Sequence, residues 1–197
     1  MDVLLSPHND DAELFAAFLC LRYEPHVAVC LRSRKQGDNW ARRELETAAA
    51  MDVLGCTWEQ WIEPDTAPSW PNIRSGIIHL GNRFDRCFAP WPRFAQNGWS
   101  GADPMPADGA CQHDRIGEIA QEVFRDRYVG YLTYTKAGKD EMGDRVSYEP
   151  EWVKKKFQAL LCHGSQIVRP EIAPHFLRGL DEYTARETPL PQKEENE

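Results

Sequence analysis

Apolar residues along this chain fall into short runs separated by polar corners. Val3-Leu4-Leu5 runs into a polar corner, Ser6 to Asp11, after which apolar residues recur at helical spacing through Leu14, Phe15, Phe18 and Leu19. That pattern predicts a strand, a turn and a helix from about Ala12 to Tyr23. His26 to Leu31 is a second apolar, β-branched run and reads as another strand. Both strands are almost continuously apolar, which suits a parallel sheet covered on both faces. A polar loop, Arg32 to Asn39, leads into a strong helix from Trp40 to Leu54, with Gly55 where a C-terminal cap belongs. Thr57 to Ile62 predicts a third strand, Asn72 to Asn82 a helix and Arg86 to Ala89 a fourth strand. This alternation predicts an α/β fold: a Rossmann-like open, mainly parallel sheet with helices on both faces, an α/β/α sandwich. In such sheets ligands bind beyond the carboxyl ends of the strands, where the Ser6 to Asp11 corner sits.

The second half is less regular. Pro90 to Gly109 carries four prolines with Trp91, Phe94 and Trp99. A loop of that length in a compact domain is usually functional. Its rings either line a pocket for the apolar face of a sugar or pack onto the domain. A helix follows, with Ile116, Ile119, Ala120 and Val123 on one face. Tyr128 to Tyr134 reads as a strand and Lys136 to Arg145 as a loop. Glu149-Pro150 opens a helix over Trp152 to His163, with Phe157, Leu160 and Leu161 facing inward and Lys154 to Lys156 on a solvated face. Residues 182–197 are polar and acidic and read as a frayed tail, which leaves 1–181 as a single domain.

At 197 residues the chain is long enough for one domain with a sizeable core. Its net charge of -8 is a poor match for duplex DNA or an anionic membrane, so a small-molecule substrate is expected, with no nucleic acid and no membrane partner. The six cysteines are dispersed with no Cys-x-x-Cys pair, which reads as reduced thiols in the cytoplasm. There is no basic stretch followed by an apolar leader, and no apolar run of about 18 residues.

The corner carries the candidate chemistry. His8 and Asp11, three residues apart, can face a common point across the turn, while Asp10 projects elsewhere. Two ligands and a spare carboxylate suit metal-assisted hydrolysis. The same residues could equally serve structure, Asp10 and Asp11 capping the helix and His8 sitting satisfied in the loop. Ser6-Pro7-His8-Asn9-Asp10-Asp11-Ala12-Glu13 resembles the first motif of the PIG-L/LmbE-like family, His-Pro-Asp-Asp followed by Glu or Ala-Glu. Three further stretches are similar to family motifs in the family's order: Arg43-x-x-Glu46 with Ala48-Ala49 and Leu54-Gly55; His113 with Gly117, similar to His-Pro-Asp-His and its later Gly; and Ala159-Leu160-x-x-His163-x-Ser165-Gln166. The resemblance spans Val3 to Gln166.

The resemblance implies a zinc-dependent deacetylase of N-acetylglucosaminyl and related amino-sugar groups. His8, Asp11 and His113 would hold Zn²⁺, or another divalent metal such as Fe²⁺, with Asp114 beside His113 in support. Asp10 would be the general base. Arg43 would lie near the substrate pocket, although from the residues alone it could be half of an exposed ion pair with Glu46. Trp91 and Trp99 are the aromatic substrate contacts expected from the loop. The chain departs from the pattern at Asn9, where the family has Pro, and at Ala110, where it has a His that stabilises the oxyanion. His163 is the candidate replacement, with a packing role as its alternative. Two other readings stand: a metal-dependent amidohydrolase for another acyl group, and a catalytically weakened sugar- or nucleotide-binding module. A dinucleotide site is disfavoured, because the first turn lacks Gly-x-Gly-x-x-Gly.

Overall fold

The computed structural model describes residues 1–32, 39–92, 112–133, 143–168 and 181–185. Strand β1 (Asp2–Ser6) lies inside the sheet and is almost wholly buried. It pairs in parallel with β2 (His26–Val29) on one side and with β4 (Arg86–Pro90) on the other. Beyond β2 lies β3 (Trp58–Gln60), and beyond β4 lies β5 (Tyr128–Tyr131), both parallel to their neighbours. Two short antiparallel strands, β6 (Gly143–Arg145) and β7 (Tyr183–Ala185), complete the order β3-β2-β1-β4-β5-β7-β6.

Strand alternation sends successive side chains to opposite faces. Leu4, Val27, Val29 and Phe88 face a core formed with α1 (Asp11–Phe15), α2 (Ala17–Tyr23), α3 (Trp40–Leu54) and α6 (Pro150–Cys162). Val3, Leu5, Ala28, Cys30, Cys87 and Ala89 face a second core with α4 (Trp70–Gly81) and α5 (Gln112–Phe124). A 3₁₀ turn, Arg125–Arg127, links α5 to β5, and a short helix, α7 (Gly164–Ile167), follows α6. The expected α/β sandwich is therefore present, with helices on both faces. The helix predicted over Trp40 to Leu54 has those bounds, capped by Asn39 at its start and by Gly55 at φ 75° at its end.

Several expectations are corrected. The first helix is broken at Ala16, whose φ of -142° leaves the helical region. Strand β6 forms inside the stretch read as a loop. On α6 the inward stripe is Lys156, Ala159 and Leu160, at i, i+3 and i+4. Phe157 and Leu161, one position further round, are 38% and 68% exposed. Lys156, expected in solvent, is fully buried in an ion pair with Glu182. The tail boundary at residue 182 is likewise wrong, since Glu182 is buried and β7 follows it; residues 186–197 lie outside the described residues. Five cysteines, at 20, 30, 56, 87 and 162, are free thiols.

Candidate metal centre

Strand order reverses direction around β1, since the chain leaves it for β2 on one side and later returns to β4 on the other. The crevice at the carboxyl ends of β1 and β4 is the switch point of the sheet, where open α/β folds bind ligands. The corner after β1 supplies His8, Asp10 and Asp11, and the start of α5 supplies His113. The Ser6 hydroxyl stitches the corner by donating to His8 O at 2.6 Å and accepting from Ala12 N at 3.2 Å. Asn9 is buried, and its amide donates to Gln60 Oε1 at 2.7 Å and Thr47 Oγ1 at 3.0 Å. A proline would stiffen the turn through its ring; Asn9 ties it to α3 and β3 instead.

His8, Asp11 and His113 converge, each offering one ligand atom within 4.8 Å of the others. Asp11 Oδ2 lies 3.2 Å from His8 Nδ1 and 3.0 Å from His113 Nε2, and it accepts from the His8 amide at 2.8 Å. Donor atoms about 2.0–2.1 Å from one tetrahedral zinc lie about 3.3 Å apart. The donor set and its spacing therefore fit a divalent cation, with two imidazoles and one carboxylate leaving room for a further ligand. Burial pushes the Asp11 carboxyl up, but His113 and His8 together outweigh it and hold the group well below the usual carboxylate range. The capping alternative fails for Asp10, which makes no side-chain cap bond to α1.

Asp10 instead faces Arg43, whose Nη2 donates to Asp10 Oδ1 at 3.3 Å. Arg43 is buried and is no surface ion pair. Glu46, also buried, accepts from Ser165 N at 2.8 Å and Ser165 Oγ at 2.5 Å, joining the second and fourth motif stretches. His163 has no exposed surface, and its Nε2 stands 3.0 Å from Glu13 Oε1. In this structure its place is that of a partner to Glu13, the packing role named as its alternative. Burial lowers the His163 pKa, but the Glu13 carboxylate more than offsets this and leaves it raised. Burial also pushes Glu13 up, so the pair keeps its protons to higher pH than it would in water.

Trp91 follows β4 and packs beside Leu132 and Tyr183, and its amide donates to Tyr131 O at 2.9 Å. Trp99 and Ala110 lie outside the described residues. Sequence reasoning missed three contributors, Asn9, Glu13 and Gln112. Glu13 sits in a quoted motif without an assigned role, and Gln112 immediately precedes His113, so position alone could have drawn attention to both.

No protein-family model matches the sequence, and no curated protein matches it. Solved structures do share the fold. A triple mutant of a deacetylase of the teicoplanin biosynthetic pathway superposes with a TM-score of 0.69 at 17% identity, covering 93% of this chain and 96% of that one. The N,N'-diacetylchitobiose deacetylase of Pyrococcus horikoshii gives 0.66 at 16% identity, covering 96% and 87%. GalB, a 4-carboxy-2-hydroxymuconate hydratase from Pseudomonas putida KT2440, gives 0.61 at 15% identity, covering 90% and 82%. The chain therefore has the α/β fold of LmbE/PIG-L-type deacetylases, and that fold also carries a hydratase.

Proposed function

We propose that this protein is a metal-dependent N-deacetylase acting on an amino sugar or an N-acetylglucosaminyl conjugate. The observation that carries the reading is the convergence of His8, Asp11 and His113 at the switch point, with Asp10 beside them. A divalent cation bound there, Zn²⁺ in this reading, supplies Lewis-acid activation of water and of the acyl carbonyl. Asp10 takes a proton from water as its oxygen attacks the acetyl carbon. Arg43 holds one carboxylate oxygen of Asp10 and so sets the direction of the other. The C–N bond then breaks, and protonated Asp10 delivers its proton to the leaving nitrogen, yielding acetate and a free amine. The buried Glu13–His163 pair lies close enough to Asp10 to feel its charge.

The test is acetate release from N-acetylglucosamine conjugates by zinc-loaded protein, beside Asp10→Asn. The variant is expected to lose about 10²–10⁴-fold in turnover with zinc content unchanged. Equal activity in variant and parent would remove Asp10 from the mechanism. One residue favours a second reading: Ala110 stands where the resembling motif has a His, as expected of a weakened, binding-only module. Sugar binding without release of any acid would support it.

A further inference from the structure

Gln112, the first residue of α5, touches two groups. Its Nε2 donates to the backbone carbonyl of Asp65, and its Oε1 lies 2.8 Å from His8 Nε2. Gln112 is buried, and His8 is partly so. A carbonyl oxygen can only accept. The Asp65 contact therefore requires the NH₂ end of the Gln112 amide, and the oxygen end must face His8. An amide oxygen also only accepts, so His8 Nε2 must carry a hydrogen. In a neutral imidazole the lone pair then belongs to Nδ1, the atom 3.2 Å from Asp11 Oδ2 and turned toward the ligand set. The Asp65 backbone is held in its turn, since its amide donates to Arg32 O at 3.0 Å.

We propose that Gln112 is a positioning residue for metal capture: it locks His8 in the Nε2–H form and presents Nδ1 as the ligand atom. An outer partner of this kind orients the ring before the ion arrives. The amide performs the task without adding a negative charge to a site that already contains Asp10 and Asp11. The proposal rests on the metal reading of the site, not on the choice of an acetylated substrate.

The experiment has two arms, both using the full chain and zinc alone. Long-range ¹H–¹⁵N correlation on the zinc-loaded parent reports which His8 nitrogen is protonated. Chelator competition gives the zinc Kd of parent and Gln112→Leu, with circular dichroism confirming the fold. The expected results are an Nε2–H, Nδ1-ligated His8, and zinc binding weakened by about 10–100-fold in the variant. His8 coordinated through Nε2 in the parent would overturn the proposal whether or not the variant folds. A folded variant binding zinc within about twofold of the parent would also overturn it and leave the metal site standing. A parent that binds no zinc at micromolar concentrations would overturn both.

Discussion

The break between α1 and α2 leaves Leu14 O and Phe18 N, among other backbone groups, without their helical partners. Lys156 and Glu182 fill the gap. Lys156 Nζ donates to Leu14 O at 3.2 Å, Glu182 Oε2 accepts from Phe18 N at 2.8 Å, and the two side chains meet at 2.7 Å. Both are fully buried. Lys156→Met keeps the length of the side chain but removes its charge and both donated bonds. The Glu182 carboxylate then stays buried with only backbone donors, and Leu14 O loses a partner. Removing one side of a buried ion pair costs about 3–5 kcal/mol. At about 2–4 °C per kcal/mol for a chain of this size, the Tm should fall by about 6–20 °C.

The pH dependence sharpens the test. Burial raises the Glu182 pKa above its ordinary 4.5, with Lys156 opposing, so removing Lys156 raises it further. A carboxyl whose folded pKa is raised binds its proton more tightly in the folded state. The penalty is therefore absent below the unfolded value and grows as pH rises through it toward the folded one. Melting followed by circular dichroism should show a small deficit near pH 4.5 and a larger one at pH 8. Lys156→Met/Glu182→Leu should recover part of the loss, because no buried charge then lacks a partner, although Leu14 O and Phe18 N lose theirs. A deficit below about 1 kcal/mol, typical of a solvated pair, or one that does not grow between these pH values, would refute the reasoning.

Two further outcomes follow from the site. In Gly117→Ala the new Cβ would lie 2.1 Å from Pro90 O and 3.0 Å from Pro92 Cδ; backbone there cannot yield, so α5 must shift. A loss of about 1–3 kcal/mol or more is expected, with weaker zinc binding because His113 lies one turn away, and an unchanged Tm would contradict this. Zinc at 100 times its Kd should stabilise the parent by about 2.7 kcal/mol, a rise of about 5–11 °C in Tm. The increment should vanish in His113→Ala and shrink in acid, where protons compete for the ligands; a rise that survives in His113→Ala would place the zinc elsewhere.

Periodicity and spacing carried the reading a long way. The parallel strands were legible because a strand buried on both faces is apolar at nearly every position, as Val3 to Leu5 and Val27 to Leu31 are. His8 and Asp11 were legible as a pair because a tight turn brings positions three apart onto one side. Arg43 was ambiguous, since an i, i+3 charge pattern on a helix reads the same whether the helix faces water or a crevice.

What pattern cannot encode is contact between distant segments. His113 meets Asp11 across 102 positions, and Glu182 meets Phe18 across 164. Lys156 and Glu182 look like surface residues because a charge is tolerated inside only beside its opposite, and nothing local announces that partner. The same holds for Gln112, whose orienting role requires Asp65 on one side and His8 on the other. Local pattern settled most of the parallel strands and long helices, but not the short strands β6 and β7, which form only by pairing with each other and with β5. The folding of β1, β4 and α5 into one crevice settled which polar side chains share a site, because ligand bonds and buried ion pairs act over only a few ångströms.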